Sequence, residues 1–394
     1  MARILVFAIT TILALHISTA FAEKTDPVGL PKLVTVQDPN DPIYANAGEN
    51  LANGVGSIFV QFDQTGTGGF ICTASAISPR HILTAAHCVL EQDWTVSRIR
   101  FVLNAGRSAP AIIDASAFEV HPFYPALAPF FGAFAPGDIA VIELSADIPA
   151  GTEVYDLYRD ADEFDKEVRH YGHGGAGRGN QGATVGADFF FGRTGLNRYE
   201  QTLIPFFGSS LFDSLLYDFD GAGRFTNAME WWFTSEFACA PEQTDNPSQA
   251  QDGQCTTFKD GSYPDFKGFG KLEIGLAGGD SGGPGFIDGK IAGVHSFGFT
   301  HQCAGVTNRT DFTCGLDSSF GEMSGDTRVS SYADWVDGLL AGGGPAVPIP
   351  QPANTPAATD QALSAVAGEL TLRGLTFAAS VWSTTMRAVS GSVE

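Results

Sequence analysis

The stretch GLAGGDSGGPGF, residues 275–286, sets an Asp280–Ser281 pair among closely spaced glycines. Glycine enters positive φ at no steric cost and lets another backbone come near, so such density marks a tight loop. Ser281 is then either a nucleophile presented on that loop or a turn residue. Downstream, KIAGVHSFGF (Lys290–Phe299) reads as a β-strand, and so do SIFVQF (Ser57–Phe62), RIRFVL (Arg98–Leu103) and IAVIEL (Ile139–Leu144) upstream. Short strands separated by Gly, Asn and Asp turns, with no α/β alternation, point to an all-β sandwich or barrel. One helix is expected in SSYADWVDGLLAGGG, where Tyr332, Trp335, Val336 and Leu339 recur at helical spacing and glycines end the run.

The chain has 394 residues, 44% hydrophobic and 17% charged, enough for a sizeable core and more than one domain-sized unit. Residues 1–22, MARILVFAITTILALHISTAFA, carry Arg3, an apolar run and small residues at Ala20 and Ala22. This reads as a secretory signal peptide cleaved after Ala22, which makes the protein secreted, periplasmic or extracellular. In an oxidising compartment the six cysteines should pair; proximity suggests Cys72–Cys88, Cys239–Cys255 and Cys303–Cys314 among the possible connectivities.

No Cys-x-x-Cys or His-x-x-x-His spacing indicates a zinc site, and no metal or cofactor is expected. YDFDGAG (Tyr217–Gly223) offers Asp218 and Asp220 but lacks the remaining oxygens of a calcium loop. With 44 Asp and Glu against 22 Lys and Arg, the net charge is −22. That field repels phosphate backbones and argues against nucleic acid as a partner. The acids are scattered rather than run together, which suits solubility.

Three distant segments place chemically capable residues in apolar or glycine-rich settings: His87 in ILTAAHCVL, Asp138 in APGDIAVIEL, and Ser281. Alone, the histidine would be an ordinary core residue and the aspartate a turn or cap. Together they match the needs of hydroxyl nucleophiles: a base to take the proton and an acid to orient that base. His121 and His173 are read as structural.

TAAHC, DIAVIEL and GGDSGGP resemble the three signature segments of the trypsin/chymotrypsin-type serine peptidases, and the likeness extends over residues 47–342. The resemblance implies two six-stranded antiparallel β-barrels with a C-terminal helix. It implies His87 as general base and acid, Asp138 as its orienting partner and Ser281 as nucleophile. The N–H groups of Gly279 and Ser281 would form the oxyanion hole, and Asp280 would hold the loop by pairing with a buried cation. Gly275, Ser296, Phe297 and Gly298 would line the substrate pocket, and Cys72–Cys88 would be the bridge beside the histidine. The implied activity is a secreted serine endopeptidase acting on proteins or peptides as a monomer. An esterase using the same residues, or a catalytically silent binding or adhesion protein on this fold, are the alternatives.

Some positions depart from the family pattern. Ala277 stands where a cysteine usually buttresses the pocket, which favours Cys314 as the partner of Cys303. Gly275 at the pocket floor lacks the acid that selects Arg or Lys, so apolar or broad specificity is expected, with Asp326 near the wall as a partial substitute. In members activated by proteolysis, the buried cation is a new N-terminal amine. The region around Ile43 has no preceding Lys or Arg, so activation by tryptic cleavage is not expected there.

The resulting organisation is a signal peptide (1–22), a leader or propeptide (23–46), a first barrel (47–165), a second barrel (166–330) and a helix (330–341). A Pro/Gly linker (343–356) and a tail without a readable role (357–394) follow; the tail's apolar stretch is too interrupted to span a bilayer.

Overall fold

The computed structural model describes residues 33–62, 68–90, 95–220, 228–229, 268–300, 315–342 and 344–349. The signal peptide, the tail, Cys239–Cys255 and Cys303–Cys314 lie outside these residues. Strand β1 (Leu33–Thr35) comes first, and then β2 (Val55–Phe62), β3 (Gly68–Ala76), β4 (His81–Thr84), β5 (Val96–Leu103), β6 (Ala111–Val120) and β7 (Ala140–Leu144) form one antiparallel system. Its order is β6-β5-β2-β3-β4-β7, and β6 pairs with β7 to close a six-stranded barrel. Inward side chains such as Ile58, Ile82, Ile99, Phe101 and Ile142 are fully buried, which is the driving term for closure.

The second lobe follows: β8 (Glu167–Gly172), β9 (Ala176–Arg178), β10 (Gly182–Val185), β11 (Arg193–Arg198), β12 (Gln201–Thr202), β13 (Leu215–Asp218), β14 (Ile274–Gly275), β15 (Pro284–Ile287), β16 (Lys290–Phe299) and β17 (Met323–Arg328). Seven of these form a sheet in the order β11-β8-β15-β16-β17-β13-β12. A second closed barrel is expected from the sequence; the structure instead has a curled half-barrel. The reason lies at its ends. Strand β12 is two residues long before the chain turns into a short helix, and the outer edge of β11 meets single bridges at Ala45 and Glu273 rather than β12. Tyr171, Phe286, Ile291 and Val294 from this sheet pack into the barrel's core cluster, so the two lobes share apolar contacts.

Both stretches read as extended contain structure. Within the expected leader, β1 runs parallel to β9 and antiparallel to β14, with Val34 opposite Gly275 and Thr35 opposite Ile274. Within the expected linker, β18 (Val347–Pro348) adds to the edge of β6. Helices with full bounds among the described residues are α1 (Phe123–Phe131), α2 (Ile204–Phe207) and α3 (Ala333–Gly342). None is long and apolar enough to cross a membrane, which says nothing about spans made of strands.

Candidate active site

Strand β4 ends in a buried Thr84-Ala85 step, and the chain turns at Ala86–Cys88, presenting His87 on a single helical turn. The Cys72–Cys88 disulfide ties this turn to β3. Asp138 precedes β7, is 2% exposed, and faces the turn. One carboxylate oxygen accepts from the backbone N–H of His87 at 2.8 Å, and the other lies 2.7 Å from His87 Nδ1. Ser296 Oγ also donates to Asp138, and Thr327 Oγ1 donates to its carbonyl at 2.8 Å. A carboxylate so held fixes both tautomer and orientation of the imidazole, leaving Nε2 as the ring nitrogen free of Asp138. The His87 side chain is 21% exposed, so solvent or a ligand reaches it.

Ser281 sits on the loop between β14 and β15. Its carbonyl accepts from the backbone N–H of Thr73 at 2.8 Å and lies 3.7 Å from Cys88 Sγ, the residue after His87. The structure thus brings the Ser281 backbone against the His87 turn. Gly279 has φ of +102°, where an added Cβ would come within 2.9 Å of Gly174 Cα. Gly282, at φ of +81°, would meet Thr84 Oγ1 at 2.0 Å, so the chain turns back against β4 only with glycine here. Thr73, absent from the sequence reading, braces this loop: its Oγ1 donates to Gly279 O at 3.1 Å and accepts from His173 N at 3.0 Å. A threonine inside an apolar strand gives no sequence signal of that role.

Asp280 is fully buried. Its two oxygens accept from Gly174 N at 2.6 Å and Ala277 N at 2.9 Å. Burial pushes its carboxyl up to about 6, opposed by those N–H groups and by His295 and Arg193. Arg193 is itself 1% exposed, and its terminal nitrogens have no hydrogen-bond partner among the described residues. Leu33, at the start of β1, packs on the same spot: a Cβ at Gly172 would lie 2.0 Å from Asp280 Oδ1 and 3.0 Å from Leu33 Cδ2.

The pocket residues separate. Gly275 backs onto Phe219, whose ring would lie 2.7 Å from an added Cβ. Phe297 is 3% exposed, with its ring 5.1 Å from Phe134 and 5.9 Å from Phe299, while Gly298 is half-buried. Asp326, expected near the pocket wall, is instead fully buried: it accepts from Tyr199 at 2.6 Å, Tyr217 at 2.9 Å and His295 Nδ1 at 3.0 Å. Burial opposes its charge, but His295 and these hydrogen bonds outweigh it and hold the carboxyl below the ordinary carboxylate range. Its burial, not a lack of charge, keeps it away from a substrate. His121 is enclosed by Phe123, Tyr332 and Trp335, consistent with packing.

A closed six-stranded barrel beside a curled half-barrel, with a His–Asp pair on one and a serine loop on the other, defines a serine-protease-like protein. Residues 47–185 match the trypsin family model. A 135-residue stretch is 31% identical to "Serine protease Hayan" of Drosophila melanogaster, covering 33% of this chain and 19% of that protein. Both support a trypsin/chymotrypsin-type serine peptidase family. Among solved structures, human heparin binding protein aligns over 77% of this chain and 98% of its own at 16% identity and a TM-score of 0.43. A collagenase aligns over 73% and 93% at 15% identity and 0.42.

Proposed function

We propose that the protein is a secreted serine endopeptidase in which His87, Asp138 and Ser281 form an acyl-transfer triad. The observation that carries this reading is the two-point grip of Asp138 on His87, at 2.7 and 2.8 Å, beside the loop bearing Ser281. His87 takes the Ser281 proton as the hydroxyl attacks the scissile carbonyl, then returns it to the leaving amine. The N–H groups of Gly279 and Ser281 receive the oxyanion, a contribution of about 3–4 kcal/mol for a lost donor in such sites. Gly275, which carries no charge and is backed by Phe219, favours an uncharged or apolar residue at the cleavage site.

Activation belongs to the same reading. Leu33 directly follows Lys32 in the sequence, and its nitrogen donates to Gly175 O at 3.2 Å, next to Gly174, whose N–H is held by Asp280; cleavage between Lys32 and Leu33 would free an amine in that neighbourhood. In the intact chain Leu33 sits at φ of +99°, a strained value for a leucine. That torsion requires the preceding residue, so cutting the bond abolishes it.

The test is labelling by a fluorophosphonate after limited cleavage with trypsin, with N-terminal sequencing of the labelled species. Expected are an adduct on Ser281, a new N-terminus at Leu33, and no hydrolysis of peptide amides by Ser281→Ala. An unlabelled Ser281 in chain confirmed to begin at Leu33 would rule the endopeptidase out.

A further inference from the structure

Asp218 and Asp220, seen in the sequence as two acids short of a binding loop, acquire distant companions in the fold. The parallel bridge between Leu196 and Glu273 brings β11 and the turn before β14 together. Carboxylate oxygens of Asp218, Asp220 and Glu273 then lie within 4.8 Å of one another. Glu200, just after β11, reaches hydrogen-bonding distance of Asp218. Asp218, Glu200 and Glu273 are only 1%, 2% and 1% exposed, while Asp220 is half-buried.

Three of the inner oxygens are oriented by backbone donors. Asp218 Oδ2 accepts from Met229 N at 2.8 Å, and Glu273 accepts from Asp220 N at 2.7 Å and Phe269 N at 2.5 Å. Two are not: Asp218 Oδ1 and Glu200 Oε2 are buried with no hydrogen-bond partner among the described residues. Buried oxygens without a donor are costly, and three carboxylates at such separation repel one another unless a cation joins them.

The geometry points to a calcium site in the second lobe, ligated by Asp218, Asp220 and Glu273, with Glu200 beside Asp218. The donors are all oxygen, which selects a hard cation over zinc or copper. Calcium suits the site better than magnesium because it accepts many carboxylates in irregular geometry, whereas magnesium keeps most of its waters. The site has a structural consequence for the pocket. Phe219, between the two aspartates, packs on Gly275, and Glu273 stands two residues before it. A bound ion would fix both supports of the pocket floor.

The experiment uses the full chain in the Ser281→Ala background, so that self-cleavage cannot imitate stabilisation and the outcome does not depend on the proposed activity. Protein stripped with chelator is melted with calcium, magnesium or EDTA, and calcium binding is measured by titration calorimetry. The expected results are one ion per chain, a melting temperature raised by roughly 5 °C in millimolar calcium, and a clearly smaller shift in magnesium. Affinity should fall at least about tenfold in Glu273→Gln and in Asp220→Asn, as expected when one carboxylate ligand is removed. Asp220 is half-buried, so its variant is informative even if the buried Glu273→Gln does not fold. No calcium-dependent shift, equal effects of magnesium, or undiminished affinity in Asp220→Asn would overturn the site.

Discussion

At the residue scale, the proposed catalytic side chains depend on neighbours that do no chemistry. Thr73 is the sharpest case, since it holds the Gly279 carbonyl, the Ser281 carbonyl and His173 N from one position. Thr73→Val keeps the shape and removes the hydroxyl, leaving the Gly279 carbonyl and His173 N–H without this partner. Such a loss costs about 1–3 kcal/mol. Because the loop carries the oxyanion donors, the expected effect is a fall in kcat of roughly 10- to 100-fold with KM nearly unchanged. A rise in KM with kcat preserved would place Thr73 in substrate binding instead. His87, Asp138 and Ser281 could be proposed from the sequence because each lies in a short motif whose residue types suit one reaction. Thr73 could not, because its role exists only once β3 lies beside the serine loop. Glu200 and Glu273 were hidden in the same way, being far from Asp218 in sequence.

At the scale of elements, strands with long alternating or apolar runs were readable. Lys290–Phe299 was read with the limits of β16, and SIFVQF and RIRFVL fall inside β2 and β5. Strand β1 was not, because three residues carry no period and its partners arrive from β9 and β14. Its consequence is electrostatic. In the uncleaved chain burial pushes Asp280 up to about 6 against an ordinary unfolded value of about 3.9, so its folded pKa is raised. The stabilising contribution is then complete below the unfolded pKa and is lost as pH rises through about 6. A shift of that size corresponds to about 2–3 kcal/mol. Lys32→Ala, which cannot be cut there, should lose stability between pH 4 and 6.5, and Asp280→Asn in that chain should flatten the loss. Chain beginning at Leu33 should also show the flatter profile, because its amine supplies the missing charge. Identical pH profiles for cut and uncut chain, measured by thermal melts, would separate β1 from Asp280.

At the scale of the whole molecule, the proposed site draws on both lobes, and the family match over residues 47–185 takes in His87 and Asp138 but stops before Ser281. The closed barrel was legible from its strand runs, whereas the open second lobe was not, since it turns on the shortness of β12 and on bridges to β11 from distant segments. Over both lies a net charge of −22. Several arginines are already matched locally and near solvent, as in Arg80–Asp147, Arg159–Asp337 and Arg178–Asp38. Such exposed pairs contribute about 0–1 kcal/mol each and weaken with salt, which alone would make salt destabilising. The unmatched excess of acids acts oppositely, since self-repulsion of the folded state is relieved as the screening length falls from ~30 Å at 0.01 M to under ~8 Å above physiological strength. With twice as many acids as bases, repulsion outweighs the few pairs. The melting temperature of Ser281→Ala in EDTA at neutral pH should therefore rise by a few degrees as sodium chloride goes from low to roughly 0.5 M. EDTA keeps calcium from supplying the same relief at Asp218 and Glu273. A flat or falling profile would mean that the local pairs, not the net charge, govern the stability of this chain.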